Sequence, residues 1–333
     1  MAPTPAAERL RGRRVLITGG LGFIGGSLAR ALVEADADVL IVDALLPECG
    51  GTYANIAGVE DAVTVVELDL REQERLHELL EGREHIFNLA GHTSHMDSMT
   101  APQLDLQLNC RAQLSLLEGC RHLRPAPTIV FAGTRQIYGR PRYLPVDEAH
   151  PIDPVDINGI HKVTAEQYHL LYGRLYDIPV VVLRLTNTYG PGMRVRDARQ
   201  TFLGVWLQSL IRNTEFEIWG DGSQVRDFTY VDDAVEAFLL AAAEPAARGA
   251  ALNLGGERPV TLRELADLLV AANGRGSYRI VPYPDDRKPI DIGDYVGDYT
   301  AIRELLGWRP TVSLEDGLNR SLDYFRAHGE RYW

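Results

Sequence analysis

Lysine is almost missing from this chain: Lys162 and Lys288 are the only two in 333 residues, and Asp and Glu outnumber Lys and Arg by 46 to 34. The net charge of −12 argues against a nucleic-acid partner, because binding a phosphate backbone needs clustered cations that displace counterions. An anionic ligand must therefore meet a local basic site. Cysteine is equally sparse. Cys49, Cys110 and Cys120 lie far apart with no C-x-x-C pair, so neither a disulfide framework nor a metal centre is expected. Long apolar runs are lacking too: none approaches the ~18 residues of a membrane span, and Met1 to Arg14 holds no signal-like apolar core. With no low-complexity tract and no repeat of solenoid period, the expectation is a folded cytoplasmic protein without a membrane partner.

What is present is a rhythm. Short apolar runs at Val15–Thr18, Val39–Val42, Val63–Leu68, Ile86–Ala90, Ile129–Ala132 and Val180–Leu185 have strand length, and stretches such as Phe23–Glu34 and Leu104–Arg121 leave room for helices between them. This alternation predicts an α/β fold with a Rossmann-type doubly wound parallel sheet over residues 1–188. After Tyr189 the pattern loosens at Gly190-Pro191-Gly192 and loops lengthen, which predicts a smaller, partly discontinuous C-terminal substrate-binding domain over 189–333. A strand near 251–256 is expected to return to the sheet.

The first strand runs into Gly19, Gly22 and Gly25, a G-x-x-G-x-x-G turn that opens a helix. Glycine there lets the backbone approach a pyrophosphate, whose charge faces free N–H groups at the helix start. Asp43 ends the second strand 18 positions after Gly25, the spacing at which an acidic side chain takes the adenosine ribose. A carboxylate repels a 2′-phosphate, so NAD is favoured over NADP as the cofactor.

With Asp69-Leu70, Asn88-Leu89-Ala90, Thr134 to Gly139, the helix bearing Lys162, Asn187 to Pro191, Arg226 to Asp233 and Leu306 to Pro310 following in order, the chain resembles the extended short-chain dehydrogenase/reductases that act as nucleotide-sugar epimerases, dehydratases and decarboxylases. The resemblance implies NAD held by Gly19, Gly22, Phe23, Ile24, Gly25, Asp43, Asp69, Leu70, Leu89 and Lys162. It also implies a homodimer formed through the segments Leu104–Arg121 and Ile160–Tyr176, with Leu108, Leu116, Leu171 and Leu175 as apolar contacts.

The family's catalytic group is a Ser or Thr with a Tyr-x-x-x-Lys pair. Thr134 and Lys162 occupy two of these positions, but Asn158 stands four residues before Lys162. An amide does not titrate, so Asn158 orients a hydroxyl without shuttling its proton. His95, His161 and His92 are the replacements to consider, with Asp97 close to the histidines of its loop.

By the same resemblance Asn187, Arg226 and Arg287 clamp the diphosphate of a nucleotide-sugar substrate; guanidinium forks suit that task. Phe202 and Trp219 are weaker candidates for bordering the base, and Asp232 reads as structural at the start of an apolar helix. The 4,6-dehydratases carry Asp-Glu after the Thr, whereas this chain has Arg135-Gln136, which disfavours elimination of water. Three readings remain open here: an NAD-dependent epimerase working at sugar C4, a decarboxylase or dehydratase of the same family with Arg135 on a carboxylate, and a protein that binds NAD and nucleotide-sugar with little catalysis.

Overall fold

The computed structural model describes residues 3–47, 49–198 and 201–333. A short helix α1 (Pro5–Glu8) precedes β1 (Arg14–Thr18), α2 (Phe23–Glu34), β2 (Asp38–Asp43), β3 (Val63–Glu67), α3 (Gln73–Leu80) and β4 (His85–Asn88). Two short helices, α4 (His95–Thr100) and α5 (Pro102–Leu106), lead through one π-helical stretch at Gln107–Arg111 into α6 (Ala112–Cys120), followed by β5 (Thr128–Thr134), α7 (Ile157–Tyr176) and β6 (Val180–Leu185). The remainder comprises β7 (Asn187–Tyr189), α8 (Phe202–Ile211), β8 (Phe216–Trp219), β9 (Val225–Arg226), β10 (Phe228–Tyr230), α9 (Val231–Ala243), β11 (Ala251–Leu254), β12 (Val260–Thr261), α10 (Leu262–Asn273), β13 (Tyr278–Val281), α11 (Thr300–Leu306) and α12 (Leu314–His328).

Seven strands form one parallel sheet in the order β11-β6-β5-β4-β1-β2-β3, the doubly wound arrangement expected from the sequence. A strand buried on both faces reads as a continuous apolar run, and β6 is buried at every position. One layer packs α2 and α9 on the sheet through Leu28, Leu32, Ala234 and Phe238. The other packs α3, α6 and α7 through Leu76, Leu116 and Ala165. The smaller C-terminal part is built from two-stranded pairs, β10 with β7, β12 with β9 and β13 with β8, together with α8, α10 and α12. Of the four leucines expected at a helical interface, Leu116 is buried because α6 spends that face on the core, and Leu108 is buried at the edge of the groove above the first turn. Leu171 and Leu175 stay 39% and 61% exposed.

Several polar groups inside the sheet layers form paired sets. Arg184 on β6 makes a two-pronged ion pair with Glu166 of α7 at 2.6 and 3.0 Å, and donates to Tyr138 Oη, which donates to Asn253 on β11. Asp233, rather than Asp232, is the structural acid of α9. It accepts from Thr311 and Val312 and fixes the segment before α12. At the ends of β1 and β4, Thr18 Oγ1 donates to Asn88 Oδ1, and Asn88 Nδ2 donates both to Gln113 and to His169 Nε2 at 2.9 Å. His169 therefore sits neutral, its Nδ1–H given to the Ala165 carbonyl at 2.8 Å.

Burial pushes the His169 pKa down to about 4. A histidine that titrates near 6.5 when unfolded then binds its proton in the unfolded chain first, so stability falls as pH drops from about 6.5 to about 4 and levels off below. This one group accounts for about 3 kcal/mol across that window. Urea unfolding of the parent and His169→Gln at a series of pH values should show the parent losing that much more than the variant between those limits.

Candidate active site

The turn after β1 has the shape a pyrophosphate needs. Gly19 has φ +67°, and a Cβ there would stand 2.9 Å from the Ala90 backbone nitrogen. A side chain at Gly25 would run into the Gly19 carbonyl oxygen. Gly22 is the N-cap of α2, so the first N–H groups of that helix face outward from the turn. The groove above it is lined by Gly19, Gly22, Asp43, Asp69, Leu70 and Leu89, all expected there, and by Cys49, Gly51, Gly91 and Leu108, which no local motif announced. Phe23 and Ile24 turn their side chains to the core, leaving only their backbone to the turn.

Asp43 is fixed at the groove by accepting N–H bonds from Leu21 at 3.0 Å and Leu45 at 2.9 Å. Burial raises its pKa, against those bonds, and the nearby Glu67 charge adds to the rise. Asp69 is paired with Arg71, whose guanidinium bonds hold its pKa down against burial. These residues fit NAD: glycines at the pyrophosphate, an acid at the ribose.

Lys162 lies one turn along α7 from Asn158. Its amine is buried and faces Gly91, where an added Cβ would stand 3.0 Å away. Burial lowers its pKa, with Asp105 pulling the other way, and no carboxylate pairs with it among the described residues. Thr134 ends β5 and accepts the Gln136 N–H at 3.2 Å.

Around the place of the missing tyrosine stand two buried carboxylates that sequence reasoning overlooked. Asp105 is met by His92 Nδ1 at 3.0 Å, His161 Nδ1 at 2.6 Å and Asn158 Nδ2 at 3.0 Å. Asn158 Nδ2 also donates to the His92 carbonyl at 2.8 Å. Burial opposes ionisation of Asp105, but these donors outweigh it and hold its pKa below the carboxylate range. Asp156, the N-cap of α7, accepts from Gly159 N–H at 2.6 Å and from Gln136 Nε2 at 3.0 Å, and its Oδ2 lies 2.8 Å from His95 Nδ1. Its own burial is likewise overcome by His95, Gly159 and Gln136, so its pKa is lowered. An aspartate before an apolar helix reads as a cap, and that signal was visible at Asp156. Its grip on His95 was not.

Arg226 is buried and gives its guanidinium to the Val225 and Gly293 carbonyls, with Asp291 3.8 Å away. Burial and the like charge of Arg135 push its pKa down to about 10. Arg135 stacks 4.9 Å from the Tyr295 ring centre and donates to Asn187 Oδ1 at 3.3 Å, while its buried Nη1 has no hydrogen-bond partner among the described residues. Arg287 lies 5.1 Å over Trp219, and Trp219 borders Tyr283. Phe202 packs instead on Trp206 and Phe228. The two guanidiniums are near enough to repel each other, and the unpartnered Nη1 of Arg135 is a donor suited to an anion. No group of His, Cys, Asp and Glu among the described residues has the arrangement of a metal centre.

Asp43→Asn keeps the shape of the side chain and removes its charge. Titration calorimetry should then show NAD bound about tenfold more weakly, the loss of one charged hydrogen bond, and a narrower preference over NADP. Unchanged affinity and preference would remove Asp43 from the ribose site.

The model of the NAD dependent epimerase/dehydratase family matches residues 15–255. A putative UDP-glucose 4-epimerase from Methanocaldococcus jannaschii is 31% identical over 317 residues, covering 94% of this chain and 98% of that protein. Among solved structures, an epimerase from Methanothermobacter thermautotrophicus superposes with a TM-score of 0.90 at 26% identity, over 98% of this chain and 95% of that one. The UDP-glucose 4-epimerase of Thermotoga maritima, solved with UDP-glucose, gives 0.86 at 30% identity, over 95% and 99%. With the glycine turn, the ribose acid and a match along most of its length, this chain belongs to the NAD dependent epimerase/dehydratase family and is an NAD-binding enzyme.

Proposed function

We propose that the chain is a nucleotide-sugar epimerase that inverts the sugar at C4 through a transient 4-keto intermediate. The observation that carries this reading is the crevice at the carboxyl ends of β1, β4 and β5. Thr134 ends β5, the neighbour of β4 in the sheet, and the Lys162 amine faces Gly91 of the cofactor groove, while the two residues after Thr134 are Arg135 and Gln136, with no carboxyl group to drive elimination. NAD, when bound, accepts hydrogen as hydride from the sugar carbon and gives it back. Thr134 Oγ1 orients the sugar hydroxyl, and the Lys162 ammonium donates to the nicotinamide ribose and favours negative charge on neighbouring oxygen. Asn158 fixes geometry without carrying a proton. Arg226, Arg287, Arg135 and Asn187 hold the diphosphate. UDP-glucose 4-epimerases among the relatives support a UDP-sugar as the first substrate to try.

A second reading, decarboxylation of a keto-uronate, is favoured by one feature: the buried, unpartnered Nη1 of Arg135 beside Arg226, a place for a sugar carboxylate. Incubating the protein with UDP-, dTDP-, GDP- and CDP-sugars in deuterium oxide, while following mass and the NADH absorbance band, separates the readings. Epimerisation gives a new sugar of unchanged mass carrying no solvent deuterium. Loss of carbon dioxide or of water identifies the lyase alternatives, and bound NAD without any conversion identifies a binding protein.

We further propose a homodimer through the stripe of Leu106, Ile160, Leu171 and Leu175, whose side chains are exposed on α5 and α7. No helix among the described residues is long and apolar enough to cross a membrane, and the cytoplasmic setting expected from the sequence is part of the proposal. Light scattering of Leu171→Glu/Leu175→Glu should report half the parent mass, with an unchanged circular dichroism spectrum.

A further inference from the structure

We infer that His95, oriented by Asp156, is the group that takes the place of the missing tyrosine and carries the proton of the sugar hydroxyl. The inference rests on the epimerase reading only in needing a sugar hydroxyl to be oxidised; it applies equally if the product is a lyase product.

Three histidines lie near the vacated position, and the structure separates them. His92 is closed off: Nδ1 is committed to Asp105, its side chain is 3% exposed, and Nε2 is buried with Asp97 Oδ2 3.8 Å away. His161 is turned toward α5, because Nδ1 is held by Asp105 on that helix, and its side chain is 13% exposed. With Asn158 also on Asp105, three side chains converge on one buried carboxylate. His95 differs in both respects. Its side chain is 40% exposed while its acid, Asp156, is wholly buried. Asp156 also holds Gln136, two residues beyond Thr134, so imidazole, acid and the carboxyl end of β5 are tied by one carboxylate.

The link to the vacated position is direct. Ser98 Oγ accepts the Asn158 backbone N–H at 3.1 Å and donates to the His95 carbonyl at 2.6 Å, so a single hydroxyl spans the two residues. An imidazole whose Nδ1 lies 2.8 Å from a buried carboxylate while its ring stays 40% exposed can do general base and acid work through its other nitrogen. As the sugar C–H bond breaks and hydride passes to NAD, the O–H bond breaks and its proton passes to His95 Nε2, leaving a ketone. On return, the ketone carbon regains the hydride and its oxygen regains that proton. Asp156 is a positioning residue: it keeps the Nδ1–H tautomer and steadies the imidazolium formed midway. The other ionisable groups on elements packed against α4 are Asp105 of α5 and, on α7, His161, Lys162, Glu166, Tyr168, His169, Tyr172, Arg174 and Tyr176, with Asp97 on α4 itself and His92 just before it.

The experiment uses the full-length protein loaded with NAD and the sugar nucleotides named above, and follows NAD reduction in a single turnover with kcat and KM at several pH values. His95→Gln should lower kcat by about 10² to 10⁴-fold, the usual worth of a positioned acid–base group, with bound NAD and KM nearly unchanged. Asp156→Asn should lower kcat less and displace one limb of the kcat–pH profile with only a modest fall in thermal unfolding temperature, because Asn still caps α7. A merely structural Asp156 would shift unfolding and leave the profile alone. Full activity in His95→Gln together with its loss in His161→Gln would overturn the assignment in favour of the Asp105 hub. A protein that reduces NAD with some sugar yet yields no C4 epimer refutes the epimerase reading and leaves the His95 comparison intact. If no sugar reduces NAD, histidine side-chain ¹⁵N spectra decide. A bound UDP-sugar must move the His95 Nε2 resonance in the parent, and an unmoved His95 overturns the proposal.

Discussion

The carboxylate of Asp156 is the contact on which the geometry of this site depends. It ends the loop after β5, starts α7 by accepting the Gly159 N–H, and draws in His95 and Gln136 from two other segments. A buried carboxylate costs desolvation free energy that only several donors offset, so the three groups are held because the charge requires them. Asp105 repeats this a short distance away with His92, His161 and Asn158. Where a tyrosine phenol would stand, the chain places two acid-centred clusters, one closed and one open to the crevice.

These clusters rest on a scaffold that is stiff for ordinary reasons. The central strands of the parallel sheet are buried on both faces, and polar groups among them form bonded sets, such as Arg184 with Glu166 and Tyr138, or Asn88 with Thr18, Gln113 and His169. Removing one member of such a set leaves its partner uncompensated, which costs far more than the set contributes intact. The loop after β4 and the helix start at Asp156 are thereby held in fixed relation to Thr134, within the small tolerances that proton transfer demands.

The fold was readable in the sequence because its signals are local. A strand buried on both faces is an unbroken apolar run, and a pyrophosphate turn needs glycines and an acid within one unit of strand, turn, helix and strand. What was hidden depends on contacts between distant segments. Asp105 looks like one more helical acid until His92, Asn158 and His161 converge on it from 13, 53 and 56 residues away. Leu108 and Leu116 could not be told from Leu171 and Leu175 by spacing alone, since each helix has two apolar sides and only packing decides which faces the sheet. The partner of His95 was likewise out of reach, though the capping role of Asp156 was not.

The residue in the vacated position has one more property, which concerns the chain's chemical ageing. Asn158 is followed by Gly159, the pair that in a flexible chain most readily closes to a succinimide and opens again as aspartate or isoaspartate. Closure needs the glycine nitrogen to attack the side-chain amide. Here that nitrogen donates its hydrogen to Asp156 inside the first turn of α7, and the amide is pinned by Asp105 and the His92 carbonyl. Folding therefore preserves a side chain that an unfolded chain would slowly convert into a titratable one. Peptide mapping around residue 158 would record how long a sample has spent unfolded.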